Sequence, residues 1–460
     1  MRWEQTVEFA ALSDIGFRRQ NNEDSNAVLV APRAEVYQEF GHLFLVADGM
    51  GGHAVGELAS KIAADTVPLA YQKSRTESFP VALRRAIEEA NTVIHNRGER
   101  NTDFRKMGTT CTTLILCPMG AIVGHIGDSR CYRIRGRRID QITFDHSLQW
   151  ELLRQGKQRR EDILLQQPRN VITRCLGPEP EVQVDIEGPY PVFPDDIYLL
   201  CSDGLTGLLT DPEIGLIARY LPPVDACRLL IDLANLRGGT DNITVVIARV
   251  GDIPSGVFDS LPPVTTARPD RISWGWFAAW CAWGILLALA ITLMISGQVV
   301  EGLLVTGVAL VGLGGLAIAG IRLRPLAAPP EDHDQTVICH PHRSAEFKLN
   351  SNFLTMLASL EQTLQTTAAE EGWSIDWSEH KKAYEQATKA LAAREYQAAL
   401  APLGKALHVL MSSIQEARRR MDRAVKWGGG KTPLPPSRPK SSDEKTDPEI
   451  PLNPQPENPG

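Results

Sequence analysis

LFLVADGMGGHAVGE (residues 43–57) carries five apolar residues into an acid, Asp48, and then sets three glycines within four positions. A short apolar run bounded by glycine reads as a buried strand. A carboxylate at the end of such a strand is costly to bury unless a cation or strong hydrogen-bond donors meet it. The pattern recurs. YLLCSDGLTG (198–207) is a second apolar run that ends on an acid and a glycine, Asp203–Gly204, and GGTDNITVV (238–246) sets Asp241 just before a third. GHIGDSRCYRIR (124–135) puts Asp128 at a strand-like end, and SDIGFRRQNNEDSN (13–26) places Glu23 and Asp24 side by side. One such acid is an ordinary turn residue or helix N-cap. Five strand-end sites, three of them flanked by glycine, ask for more than turn chemistry.

Carboxylate oxygens are hard ligands, and a cluster of them points by donor type to magnesium or manganese. Glu23, Asp48, Asp203 and Asp241 together carry four negative charges, which two divalent cations would neutralise. Two such ions about 3.5–4 Å apart share a bridging carboxylate and activate water for in-line attack on phosphorus. Gly49 offers its carbonyl with no side chain in the way. Arg19 supplies a planar fork suited to a phosphate dianion.

The rest of the chain divides by composition. Its 460 residues are too many for one ordinary domain. A net charge of −7 leaves no basic footprint for nucleic acid. Eight cysteines form no CxxC pair, several lie in apolar runs, and together they read as a reducing compartment without a disulfide framework. The opening MRWEQTVEF has no apolar core of a signal peptide. Residues 1–251 alternate strand-like runs with helical patterns, and residues 252–273 form a proline-rich linker. Residues 274–321 hold two apolar stretches, 274–296 and 302–320, each long enough as a helix to cross a bilayer. Arg268 and Arg271 precede them and Arg322 and Arg324 follow, which predicts a two-helix transmembrane hairpin with both flanks cytoplasmic. Residues 322–427 read as a cytoplasmic helical region. Positions 353, 354, 357, 360 and 364 share one face, and a later stretch has the small-residue spacing of one tetratricopeptide unit. Residues 428–460, with nine prolines, read as a disordered tail.

SDIGFRRQNNED, LFLVADGMGGHAVGE, MGTTCTTLIL, GHIGDSR, DHSL, RNVITRCLG, LLCSDGLT and GGTDNIT follow one another in the order of a known motif series. Over roughly residues 5–250 the sequence resembles bacterial metal-dependent serine/threonine phosphatases of the protein phosphatase 2C family. The resemblance implies an α+β fold, an α-β-β-α sandwich of two antiparallel sheets flanked by helices, with Mn2+ or Mg2+ at one edge. It implies Asp48 as the bridging ligand, with Asp203 and Asp241 completing one ion's shell and Glu23 with the Gly49 carbonyl completing the other's. Asp24 is implied as the acceptor that orients water, Asp128 with Asp203 as a third and weaker metal site, and Arg19 as the phosphate clamp. Residues 147–170 fall where the family has a mobile flap. Animal members carry a histidine after the Asp-Gly pair; Met50 stands directly after it here, so the general acid has no assignment. Implied partners are phosphoserine and phosphothreonine proteins, with a membrane serine/threonine kinase as the opposing enzyme. The implied location is the cell (inner) membrane, multi-pass.

Two other readings meet these residues. A dinucleotide loop at DGMGGHAVG would set Asp48 against a pyrophosphate, which excludes it on charge. The alternative from another class is a catalytically silent phosphatase fold serving as a membrane binding or scaffold module, separable by manganese-dependent hydrolysis of a phosphate ester.

Overall fold

Runs such as LFLVA, IYLLC and ITVVIARV are apolar on both faces, so a strand built from them must be covered on both sides. The structure is a computed structural model that describes residues 7–52, 54–74, 77–104, 106–155, 171–251, 274–310, 341–371 and 375–426. It meets that demand with two antiparallel sheets packed face to face. The first sheet has the order β1 (Val7–Asp14), β11 (Ile243–Val250), β10 (Ile197–Cys201), β7 (Arg130–Arg135), β8 (Arg138–Gln141), β12 (Arg343–Glu346). The second has the order β2 (Asp24–Leu29), β3 (His42–Met50), β5 (Cys111–Cys117), β6 (Gly120–Ile126), β9 (Asp185–Tyr190), with β4 (Gly108–Thr109) also paired to β3.

The period of two then sorts each strand between two cores. Phe44 and Val46 of β3 meet Tyr198 and Leu200 of β10 and Val246 and Ala248 of β11 between the sheets. Leu43, Leu45 and Ala47 face outward from the second sheet, under α2 (Ala54–Lys73) and α3 (Phe79–Arg100). A shorter helix, α1 (Ala34–Phe40), joins β2 to β3, and α4 (Leu148–Gln155) opens the segment after β8. On the outer face of the first sheet, Leu199, Cys201, Val245 and Ile247 are covered by α6 (Asp211–Tyr220) and α7 (Pro223–Leu236), which follow the one-turn α5 (Asp203–Thr206).

That third core contains a segment from far along the chain. Residues 322–427 are expected from the sequence as a separate cytoplasmic helical region. In the structure β12 pairs with β8, from Arg343 opposite Gln141 to Glu346 opposite Arg138. Residues Phe347, Leu354, Leu357, Leu400, Leu403 and Leu407 are buried with α6 and α7. They lie on or just before α10 (Ser351–Glu371) and α12 (Tyr396–Lys426), with α11 (Trp377–Ala392) between those two helices. Gly215 of α6 is bare for this purpose, since a Cβ there would fall 2.7 Å from the Phe347 ring. His408 Nδ1 pairs with the buried Asp232 Oδ2 of α7 at 2.7 Å. Pairing at β8 also covers an edge that would otherwise be open to another strand. Pattern reading misses the docking because β12, RSAE, is four residues long and its side chains are mostly exposed.

Between these parts lie α8 (Trp274–Ile295) and α9 (residues 299–310). Trp283 Nε1 of α8 donates to the Ala309 carbonyl of α9 at 2.9 Å. Gly302 lies close under Met294. Among the described residues no helix is long and apolar enough to cross a membrane. The described side chains of α8 begin at Ala282 and those of α9 end at Leu310, so the expected spans at 274–296 and 302–320 are described only in part. The linker (252–273), most of the expected flap (156–170) and the proline-rich tail (428–460) lie outside the described residues.

Candidate active site

The acids gather where both sheets end on the same edge of the sandwich. Asp24 opens β2 and stands directly opposite Asp48 in β3. Asp203 follows β10 by two residues, Asp241 precedes β11 by two, and Asp128 lies in the β6–β7 turn. Strands β3, β6, β10 and β11 are buried on two faces, so their ends cannot shift without moving the core.

Asp24 joins the two sheets. Its Oδ2 accepts from Ser202 Oγ and from Thr244 Oγ1, both at 2.7 Å, while its Oδ1 is buried without a hydrogen-bond partner. Asp203 Oδ1 and Asp128 Oδ1 are likewise buried and unmatched. Burial raises all of these carboxyls above the usual range, and mutual repulsion adds to it. Asp24 is pushed up to about 7 by burial, against the two hydroxyl hydrogen bonds, with Asp203 and Asp241 adding charge. Asp128 goes to about 8 through burial and the charges of Asp203 and Asp145. Asp203 goes to about 6 through burial and Asp241, moderated by a hydrogen bond with Asp48. Asp48 is driven well above its ordinary value by burial and by Asp24, Asp203, Asp128 and Asp241.

Two glycines shape the neighbouring wall. A Cβ at Gly56 would fall 2.2 Å from Glu23 Oε2 and 3.0 Å from the Gly49 carbonyl oxygen, so both oxygens lie against one bare Cα. Gly49 itself is closed in by the Gly56 and Glu23 carbonyls. Arg19 reaches over the edge, its Nη2 2.7 Å from Asp241 Oδ2, with its side chain 46% exposed. The hydrogen bond to Asp241 raises the Arg19 pKa most, against burial, and Asp241, Glu23 and Asp48 strengthen the effect by charge.

The expected set Arg19, Glu23, Asp24, Asp48, Gly49, Asp128, Asp203 and Asp241 is therefore brought to one edge. Among the described residues no three acid, histidine or cysteine side chains stand in ready-made coordinating geometry. Asp24, Asp128 and Asp203 each present a buried carboxylate oxygen without a donor, in a field of like charge. That chemistry fits divalent cations, because neither water nor a neutral donor relieves the repulsion.

Several residues that hold the site lie inside the quoted motifs, but no role is read for them from the sequence. Asn242 Oδ1 accepts the Glu23 amide at 2.8 Å while its Nδ2 donates to the Ile15 and Asn21 carbonyls, so one side chain ties the Arg19 loop to Glu23. Thr110 Oγ1 accepts the Asp48 amide at 2.8 Å, and Thr109 Oγ1 donates to the Asp48 carbonyl. The available hint is a polar side chain inside an apolar run. The DHSL and GDSR motifs meet as a buried ion pair in which Arg130 Nε and Nη2 grip Asp145 at 2.7–3.0 Å, beside the turn of Asp128. Thr109 and Leu176, from MGTTC and RCLG, exchange backbone hydrogen bonds.

The sequence model of the family described as Protein phosphatase 2C matches residues 20–154. Protein phosphatase PhpP of Streptococcus pneumoniae is 34% identical over 252 residues, which cover 54% of this chain and 98% of that protein. The chain belongs to the protein phosphatase 2C family. It is a metal-dependent phosphoprotein phosphatase acting on serine/threonine substrates, and the cofactor of the family is Mn2+ or Mg2+. Serine/threonine phosphatase stp of Listeria monocytogenes is also 34% identical, over 52% of this chain and 93% of its own length. Among solved structures, the Mycobacterium tuberculosis serine/threonine phosphatase PstP/Ppp is 33% identical with a TM-score of 0.48, covering 54% of this chain and 99% of that one. The catalytic domain of PstP in complex with two manganese ions is 33% identical with a TM-score of 0.46, covering 54% and 99%. The curated relatives match about half of this chain; the apolar hairpin and the segment that supplies β12 and α10–α12 lie beyond the part they share.

Proposed function

We propose that this family member is a membrane-anchored phosphatase that hydrolyses phosphoserine and phosphothreonine at a binuclear metal centre. Asp48 would bridge the ions, Asp203 and Asp241 would hold one, and Glu23 with the Gly49 carbonyl would hold the other. Asp128 with Asp203 forms the proposed third and weaker position. The observation that carries the reading is the set of buried, donor-less oxygens on Asp24, Asp128 and Asp203 at one edge. When bound, the cations supply an activated water and neutralise charge on the phosphoryl group.

The remaining work falls to the chain. Arg19 clamps phosphate oxygens through its fork, while its pairing with Asp241 holds it over the acids. Asp24, fixed through Oδ2 by Ser202 and Thr244, presents Oδ1 as a fixed acceptor for a water proton. Ser202, Thr244, Thr110 and Asn242 keep the strand ends in register, which holds the acids in fixed positions relative to one another. Activity of the full chain on a phosphothreonine peptide should require Mn2+ and cease on chelation. A protein that folds, binds Mn2+ and hydrolyses nothing would instead be the silent scaffold.

The membrane assignment rests on the apolar hairpin. Ile285 of α8 is 69% exposed and Val300 of α9 is 74% exposed, with Leu303, Leu304 and Val308 beside it, a surface suited to lipid. Because β12 and α12 share the core of residues 7–251, both ends of the hairpin belong to one folded body. This supports an even number of crossings, with both flanks cytoplasmic by the arginines at 268, 271, 322 and 324. A membrane serine/threonine kinase is the proposed source of substrate. A reporter inserted after Arg324 should remain inside the cell; its appearance outside would leave only one crossing.

A further inference from the structure

The turn that presents Arg19 is held from three directions. Asp14 closes β1, and its Oδ1 accepts from the Gly16 amide and from Asn235 Nδ2 of α7, both at 2.9 Å. Below it, the Phe17 and Arg18 amides donate to the Gly239 carbonyl at 2.8 and 3.0 Å. Gly16 has φ of +75°, and a Cβ there would fall 2.1 Å from the Asp241 carbonyl oxygen, so the turn has no slack on that side. The third support comes from α12, about 400 residues later. Gln415 Nε2 donates to Asp14 Oδ2 at 3.2 Å. The Arg418 guanidinium lies 5.3 Å from the Phe17 ring centroid, with Nη1 3.5 Å from the Gly16 carbonyl oxygen.

We propose that the end of α12 sets the phosphate clamp, with Gln415 and Arg418 as positioning residues for Arg19. Neither reaches the acids or Arg19 itself. They act through Asp14, Gly16 and Phe17, and Arg19 follows Phe17 by two residues. The helix delivers them in fixed register because Leu400, Leu403 and Leu407 are buried against the first sheet's outer helices and His408 is paired to Asp232. Arg18 and Arg19 are exposed, so the clamp is fixed not by burial but by the pairing with Asp241 and by the support of its turn. The segment beyond the apolar hairpin thereby reaches the substrate-binding end of the site, and phosphate affinity becomes a property of the whole chain. This inference rests on the assignment of Arg19 as the clamp.

The test compares Arg19→Ala, the pair Gln415→Ala/Arg418→Ala, and all three together, in the full chain with Mn2+. KM for a phosphothreonine peptide, the inhibition constant of inorganic phosphate, kcat and the melting temperature are read for each. Loss of a cation–π contact and a weak hydrogen bond should raise KM and the phosphate inhibition constant about 5-fold, with kcat and melting temperature kept. Arg418→Lys, which keeps a cation over the ring, should restore part of the loss when Gln415 is intact. Combined with Arg19→Ala, the tail pair should add nothing further, because all act on one contact. If Arg19→Ala raises both constants and the tail pair does not, the clamp stands and the positioning role falls. If Arg19→Ala leaves both unchanged, the clamp assignment falls and takes the inference with it. Should the pair melt early, Arg418→Gln alone, at a partly exposed position, must still raise KM about 2–5-fold. An unchanged KM there overturns the inference.

Discussion

Asp145 and Asp48 are both carboxylates near the same edge of the sandwich, and their surroundings differ in kind. Asp145 accepts from Arg130 through both of its oxygens and from Gln141 Nε2 at 2.7 Å. Asp196, at the other end of the first sheet, is gripped in the same way by Arg135 and by the Phe193 amide. These acids are closed: every oxygen is spoken for by the protein. Asp48 instead faces Asp24, Asp128, Asp203 and Asp241, three of which keep a buried oxygen without a donor. Burial of charge is tolerated in the first region because an arginine comes with it, and in the second because something from outside the chain is required.

The comparison makes graded predictions. Asp48→Asn should lower kcat by roughly 10³-fold, the scale of losing a principal electrostatic stabiliser, and weaken Mn2+ binding in a titration. Asp145→Ala should do the reverse. Removing the closest partner of Arg130, which keeps Tyr132 and a 3.8 Å contact to Asp211, should cost about 1.5–3 kcal/mol in urea unfolding, with Mn2+ affinity of the folded protein nearly intact. Equal loss of Mn2+ affinity in the two variants would dissolve the distinction. Arg19→Ala should raise KM by roughly 10–150-fold with a smaller change in kcat, as expected for one charge-assisted contact made in both ground and transition states.

The smallest effect belongs to Glu213, another closed acid. Burial alone would raise its pKa, but hydrogen bonds from Arg237 and Thr210 prevail and bring it down to about 2. Its contribution to stability is therefore complete above pH about 4.5 and is lost as pH falls towards 2. Glu213→Gln should flatten that acid limb in a melting-temperature series, without changing Mn2+ affinity.

Much of this was legible in the residues. Apolar runs ending on acids announced strands and a cation site, because a five-residue strand buried on both faces has few compositional alternatives. The helical face at 353, 354, 357, 360 and 364 also emerges, with Leu354 and Leu357 fully buried and the others packed beside them. The roles of the site's supports were not legible, although the residues fall within the quoted motifs. Asn242, Ser202 and Thr110 are ordinary polar residues until a second strand is laid beside them, and their partners lie 19 to 227 positions away by no local rule.

Local pattern in the chain was enough to establish the strands, the acid set and the two apolar stretches, since period, burial and charge act between near neighbours. The placement of β12 and α12 was settled by packing. An exposed four-residue strand carries almost no pattern, and the bare Cα of Gly215 acquires its use only when Phe347 is set against it. The same holds for Arg19: its charge is written in the sequence, but the turn that aims it is held by Asn235, Gly239 and Gln415, and only folding brings those three to one place.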